Sequence, residues 1–305
     1  MEKAIVTGAT GLVGSAVARH LADRGVDVLC LGRRDLSGDD VSAMFGSPDV
    51  TYLKIAMDDI ESLPDAIGRI GWRVGDSCVF FNFAWGGAER LTDGGFEIQF
   101  NNAVQAALAV SAAKKAGCSK FVNAGTVEET FAEEYLAEGA HGPFGSTQTD
   151  YAISKLAARD MCKMVAYLDK IDYVHTRLSV PVAERLDRGG YVCSALDSII
   201  RDKPYDEPAN DQLFDIVPVD DVAEAYYRIG QRGRNKADYF IGTGKPRTLR
   251  DYFAVCRELR DRRAGASSTV ADDGVAPFLT GQLTEDTGFV PSRTFEEFVL
   301  SRISA

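Results

Sequence analysis

The stretch Ala4-Ile5-Val6-Thr7-Gly8-Ala9-Thr10-Gly11-Leu12-Val13-Gly14 decides the architecture of this chain. A short apolar run passes directly into three glycines spaced three residues apart. A segment of helical periodicity follows from Leu12 to Arg24, with Val13, Val17 and Leu21 on one face. In a strand-turn-helix unit each glycine has its own physical task. Gly8 permits the tight turn, Gly11 lets the backbone approach a pyrophosphate, and Gly14 allows close packing of helix on sheet. Backbone N–H groups and the positive end of the helix then hold phosphate. The pattern therefore predicts a dinucleotide site at the first strand-helix turn.

Working outward, apolar runs alternate with helical stretches. Strands are predicted at Val26–Leu31, Val50–Ile55, Cys78–Ala84, Lys120–Asn123 and Tyr173–Val180, and long helices at Phe96–Ala116 and Thr149–Leu168. Strand-helix repeats of this length imply parallel pairing through right-handed crossovers, hence an α/β fold with a doubly wound parallel sheet. Beyond Pro181 the pattern loosens into polar, proline-containing stretches. A helix over Val219–Ile229, a strand at Tyr239–Ile241 and a helix over Leu249–Arg262 follow. Residues 1–180 are expected to form the Rossmann domain, joined by segments around 215–245. Residues 181–214 and 246–305 are expected to form a smaller substrate-binding lobe.

Composition excludes several alternatives. Of the 305 residues, 45% are hydrophobic and 26% charged, an ordinary globular mixture, and the net charge is −11. Such an acidic chain lacks the basic face that nucleic acid or an anionic membrane requires. No window approaches the ~20 apolar residues of a membrane helix, and no signal-peptide pattern precedes the first strand. A cytoplasmic location is expected. The six cysteines have no paired short spacing, and the three histidines (His20, His141, His175) are far apart, so no metal site is expected.

Tyr151-Ala-Ile-Ser-Lys155 sets a phenol and an ammonium four residues apart on one helix face. A tyrosine near pKa ~10 is a poor acid-base group at neutral pH. A neighbouring cation is expected to lower that value. Thr126 stands at the carboxyl end of the fifth strand, where its hydroxyl is placed to orient a substrate oxygen. At the end of the second strand, Leu31-Gly32-Arg33-Arg34 lacks the acidic side chain that normally takes an NAD ribose hydroxyl. A guanidinium fork at Arg33 suits a 2′-phosphate, so the reading favours NADP(H) over NAD(H).

Together these residues resemble the extended short-chain dehydrogenases/reductases, the family that includes nucleotide-sugar epimerases, dehydratases and 4-ketoreductases. Further landmarks carry the resemblance: Phe81-Asn82-Phe83-Ala84-Trp85 after the fourth strand, Asn102 in the long helix, and Val219-Asp220-Asp221-Val222-Ala223. Gly242-Thr243-Gly244 and Gly288-Phe289-Val290-Pro291 complete it. The resemblance implies that Thr126, Tyr151 and Lys155 carry proton transfer. It also implies that Gly8, Thr10, Gly11, Leu12, Val13, Arg33, Asp58, Ala84, Asn102, Ala124 and Leu178 line the cofactor, together with Tyr151 and Lys155. The adenine contact falls at Ala56-Met57 or at Asp58. The two long helices would pair in a homodimer.

Three departures bear on the reaction. Val127 stands where the family's 4,6-dehydratases carry an acid, which disfavours dehydration. Arg177-Leu-Ser-Val180 lacks the asparagine that elsewhere meets a substrate diphosphate, and Phe214 replaces an arginine. Arg185, Arg188, Arg201 and Arg247 are the candidates to supply the missing charge. The resulting expectation is an NAD(P)(H)-dependent reductase of a keto group, at C4 of a nucleotide-activated sugar. A 4-epimerase is the alternative, and a cofactor-binding regulatory protein the alternative of another class.

Overall fold

The computed structural model describes residues 1–47, 50–87, 95–138, 149–186, 189–209, 211–262 and 276–304. The first half runs β1 (Lys3–Thr7), α1 (Leu12–Asp23), β2 (Asp27–Gly32), α2 (Gly38–Phe45), β3 (Val50–Lys54), α3 (Leu63–Ile70), β4 (Cys78–Asn82) and α4 (Phe96–Ala116). A 3-10 turn, Met57–Ser62, precedes α3. Then come β5 (Lys120–Thr126), α5 (Glu128–Glu138), α6 (Thr149–Asp169), β6 (Asp172–Leu178), β7 (Val180–Val182) and α7 (Tyr191–Ile200). The chain closes with β8 (Leu213–Phe214), β9 (Ile216–Pro218), α8 (Val219–Arg232), β10 (Asp238–Ile241), β11 (Arg247–Thr248), α9 (Leu249–Arg262), α10 (Gly281–Thr287) and α11 (Phe295–Ile303).

Seven strands form one parallel sheet in the order β10-β6-β5-β4-β1-β2-β3. The chain winds outward from β1 to β3, then returns to place β4 on the other side of β1. Strand order reverses there, and ligands of such sheets bind at the carboxyl ends beside that reversal. The two-residue period of the strands sorts side chains between two cores. Ala4, Val6, Val28, Cys30, Val79 and Phe81 face α1 and α8, while Ile5, Leu29, Leu31 and Phe80 face α3, α4 and α6. Burial on both faces explains why β4 is apolar from Cys78 to Phe81. A third apolar cluster joins α7, α9 and α11 through Leu196, Ile199, Tyr252, Phe253 and Phe298.

Helix boundaries follow local chemistry. Ser37 caps α2, and Thr294 caps α11, each through a capping box with the acid three residues on. The sequence reading extended three strands too far, the third by Ile55 alone. The fourth strand stops at Asn82 because the N–H groups of Phe83 and Ala84 turn to the Thr7 hydroxyl, at 3.1 and 3.2 Å, instead of joining the ladder. The sixth stops at Leu178, and Val180–Val182 pairs separately with β9. The fifth strand, by contrast, runs beyond Asn123 to Thr126. Helices α2, α3, α5, α7, α10 and α11 have no counterpart in the sequence reading, which relied on long periodic runs. No helix among the described residues is long and apolar enough to cross a membrane.

Candidate active site

The glycine turn has the shape that a phosphate needs. Gly8 has φ +63°, and a Cβ on it would lie 2.8 Å from the backbone nitrogen of Ala84. A Cβ on Gly14 would lie 2.3 Å from the Gly8 carbonyl oxygen. Helix α1 begins at Leu12 without a side-chain cap or an acid in its first turn. The N–H groups of its opening turn therefore have no side-chain cap and no acid within that turn. Thr10, Gly11, Leu12 and Val13 form this partly exposed rim. These residues fit a dinucleotide's pyrophosphate.

The segment after β4 joins this turn to the predicted proton-transfer residues. Asn102 of α4 holds it from below: its amide oxygen accepts the Gly86 N–H at 2.8 Å, and its NH2 donates to the Gly86 carbonyl at 2.9 Å. Gln99, fully buried, accepts the Trp85 indole N–H at 2.7 Å. Both side chains act on the loop. Trp85 in turn meets Tyr151 edge-on, with ring centroids 6.0 Å apart, and the Lys155 ammonium lies 3.9 Å from the indole centroid. Gly8, Ala84, Trp85, Tyr151 and Lys155 thus form one contiguous cluster.

Thr126, Tyr151 and Lys155 come together as the sequence requires. The Tyr151 hydroxyl is hydrogen-bonded to the Thr126 side chain. Lys155, almost fully buried, donates to the Ala124 carbonyl at 2.9 Å. Leu178, buried at the end of β6, pairs with Thr126, and its carbonyl accepts the Val127 N–H at 2.8 Å.

The electrostatics differ from the sequence expectation. Burial pushes the Tyr151 phenol well up. The Thr126 hydrogen bond opposes that shift, while the charges of Glu129 and Glu128 add to it. Lys155 does not hold the phenol down in this state; its ammonium sits over Trp85 and bonds Ala124. Burial lowers Lys155 to about 8, against the pull of Glu129. The site contains a protonated tyrosine and a lysine that titrates within reach of neutral pH.

Two carboxylates beside Thr126 were missed as site residues by the sequence reading. Glu128 is buried at the start of α5, and burial raises it to about 7 despite a hydrogen bond from Gln212. Glu129 is fully buried and accepts the Thr126 N–H at 2.8 Å. The only signal in the sequence was the departure at Thr126-Val127-Glu128-Glu129 itself.

Other expected residues lie apart from this cluster. Arg33 is exposed at the end of β2, and the nearby Asp35 carboxylate pairs with Lys54 at 2.6 Å. Asp58 stands exposed in the 3-10 turn, hydrogen-bonded by Gln105 of α4. Ala56 and Met57 are half-buried beside it. Arg247 is almost buried and pairs with Glu296 at 2.7 Å, and Arg201 pairs with Asp197 at 2.8 Å along α7. Neither guanidinium is left without a carboxylate. Arg177 bridges Glu133 and Asp238. Phe214 lies in β8 against Arg247 of β11. Arg188 and His141 fall outside the described residues. His20 pairs with Glu224, and all six cysteines are buried free thiols.

Residues 4–242 match the NAD dependent epimerase/dehydratase family, and the chain belongs to that family. Its members are enzymes of the short-chain dehydrogenase/reductase kind. Among solved structures, the chain resembles UDP-glucose 4-epimerase from Thermotoga maritima with UDP-glucose, at 16% identity and TM-score 0.73. That match covers 99% of this chain and 97% of the other. UDP-glucose 4-epimerase from Thermus thermophilus in complex with NAD matches at 19% identity and TM-score 0.70, covering 99% and 98%. The dTDP-glucose 4,6-dehydratase of Bacillus anthracis with NAD matches at 17% identity and TM-score 0.73, covering 100% and 96%. No curated protein sequence gives a significant match. At these identities the structural likeness establishes the Rossmann-type fold.

Proposed function

We propose that the protein is a nicotinamide-dinucleotide-dependent oxidoreductase acting at C4 of a nucleotide-activated sugar. The observation that carries this reading is the contiguous cluster from Gly8 through Trp85 to the Thr126–Tyr151 hydrogen bond, with Lys155 one helical turn away. When bound, the dinucleotide supplies a hydride acceptor or donor. The chain's own residues do the rest. Residues Gly8 to Val13 hold the pyrophosphate with backbone N–H groups. Thr126 fixes the substrate oxygen, and Tyr151 exchanges the proton with it. Lys155 is placed to hydrogen-bond the nicotinamide ribose. The half-buried, protonated state of Tyr151 supports its action as a proton donor to a carbonyl oxygen, the half-reaction shared by keto reduction and epimerisation.

The UDP-sugar and NAD in the neighbouring structures favour 4-epimerisation as the net reaction, and NAD as the cofactor. They weigh against the NADP(H) preference that Arg33 alone suggests. Net keto reduction, expected from the sequence, is the second reading, and the protonated Tyr151 serves it equally. Incubating the protein with UDP-glucose, with no added cofactor, and following the sugar by proton NMR separates the two. Appearance of the C4 epimer supports epimerisation. Consumption of added NADH or NADPH by a 4-keto sugar nucleotide supports reduction. Failure of both ends the proposal. Comparing NAD and NADP affinities by calorimetry, in the wild type and in Arg33→Ala, tests the cofactor reading. Tighter NADP binding that is lost in the variant would overturn it.

We further propose a homodimer. Phe96 and Val104 on α4, and Met164, Tyr167 and Leu168 on α6, are all exposed on the two helices that pack together. Exposed apolar side chains on these helices are what a subunit contact would cover. Sedimentation should show a dimer, and Leu168→Glu should shift it toward monomer; a monomeric wild type would refute the idea.

A further inference from the structure

A row of polar side chains crosses the sheet one layer below the active site. Thr7 of β1, Asn82 of β4, Asn123 of β5 and His175 of β6 are in register, each opposite the next. All four are essentially buried. The Thr7 hydroxyl donates to the Asn82 amide oxygen at 2.7 Å, and the Asn82 NH2 donates to Asn123 at 2.9 Å. The Asn123 NH2 lies 3.4 Å from His175 Nδ1, and the Tyr173 hydroxyl lies 3.1 Å from the same nitrogen. With Nδ1 so occupied as an acceptor, Nε2 carries the proton and donates to Glu129 Oε2 at 2.8 Å. The other Glu129 oxygen accepts the Thr126 N–H.

Glu129 is fully buried and His175 is 2% exposed, so neither is bonded to solvent in place of the other. The chain makes room for them. A Cβ on Gly125 would lie 2.3 Å from Glu129 Oε1 and 2.4 Å from His175 Nε2. Only a glycine fits between this pair and the strand. A buried carboxylate is expensive unless its oxygens are satisfied. Here two donors satisfy it, and one of them is the backbone of the residue whose hydroxyl meets Tyr151.

We infer that Glu129, oriented by His175, is a positioning residue: it fixes the Thr126 backbone and sets a carboxylate beside Tyr151 and Lys155. This inference rests on the reading of Thr126, Tyr151 and Lys155 as the proton-transfer group. The charged and titratable groups within the influence of Glu129 are Tyr151, Lys155 and Cys162 on α6, and Tyr173, His175 and Arg177 on β6. Glu128 adjoins it on α5. The Glu129 charge disfavours the phenolate and favours the ammonium. Its removal should therefore lower the pH at which each of those two groups loses its proton.

The test uses Glu129→Gln, which keeps size and removes charge, with two variants at His175. In His175→Gln the amide still donates to Glu129, whereas His175→Leu removes the donor. In the wild type and variants, kcat and KM are measured against pH in the direction of alcohol oxidation. Thr126 amide exchange is read by NMR on the intact protein, alongside thermal melting. We expect Glu129→Gln to move the acidic limb of kcat to lower pH by on the order of one unit. We expect kcat at fixed pH to change about tenfold, with KM for the dinucleotide changed less than about twofold. His175→Gln should behave as wild type, and His175→Leu should lose Thr126 amide protection selectively. Loss of melting temperature with an unmoved pH profile would reduce the pair to a structural role and overturn the inference. A wild type that turns over no nucleotide sugar would sink the functional proposal instead. In that case the Thr126 amide decides the positioning claim: unchanged exchange in Glu129→Gln and His175→Leu rejects it, and faster exchange upholds it.

Discussion

The two sides of the strand-order reversal meet the same task with different materials. On the β1 side, Gly8, Gly11 and Gly14 act by having no side chain, and on the proposed reading backbone N–H groups would face the phosphate. On the β5–β6 side, Thr126, Glu129 and His175 act through side chains buried among one another. Function carried by backbone geometry leaves its mark in residue type at fixed spacing. Function carried by a buried polar network is distributed over residues from several strands. It also depends on low local dielectric, which strengthens each satisfied bond and penalises each broken one.

The contrast is most sharply tested at Tyr151. Tyr151→Phe keeps ring packing against Trp85 and loses the exchangeable proton. Turnover should fall by about 10²–10⁴ with dinucleotide affinity nearly unchanged, measured by steady-state kinetics and calorimetry. Undiminished turnover would remove the β5–β6 side from the chemistry. Gly14→Ala probes the opposite side. Its methyl meets the Gly8 carbonyl, so the turn must deform, at a cost of about 1–3 kcal/mol in denaturant unfolding and with dinucleotide affinity lost. Full affinity in that variant would show that the turn does not hold the cofactor.

A smaller effect concerns Glu128. Burial raises its carboxyl to about 7, so the folded state binds this proton more tightly than the unfolded chain. The resulting stabilisation is fully present below the ordinary carboxyl value and is lost as pH rises through about 7. Glu128→Gln, permanently neutral, should match the wild type near pH 4 and exceed it at pH 8 by about 1–3 kcal/mol. Parallel stability profiles of the two proteins would show that Glu128 lies in a more hydrated place than the fold implies.

The same contrast explains what could be read from the sequence. The parallel sheet, the glycine turn and the two long helices α4 and α6 were legible because each is a local pattern of spacing or periodicity. Thr126, Tyr151 and Lys155 were legible because strand end and helix face are also local properties. Short helices such as α3 and α7 were not, since few turns give little periodic signal. The shift of Tyr151 was misjudged for a deeper reason. A helix places Lys155 near Tyr151, but burial and the Glu129 charge arise from β6 and α5. His175 illustrates the limit best. Alone in the sequence it was an isolated histidine, and only strand register brings it beside Asn123 and Glu129.

The chain contains two tryptophans, and the fold separates them. Trp72 bonds Asp27 and lies beneath Lys3, at the amino edge of the sheet, while Trp85 lies against Tyr151 and Lys155. Replacing Trp72 with phenylalanine would leave a single indole emitter in contact with the lysine ammonium. Any event that draws that ammonium away alters the local field and hence the emission colour and yield. Such a change would be readable in a stopped-flow cuvette without a label.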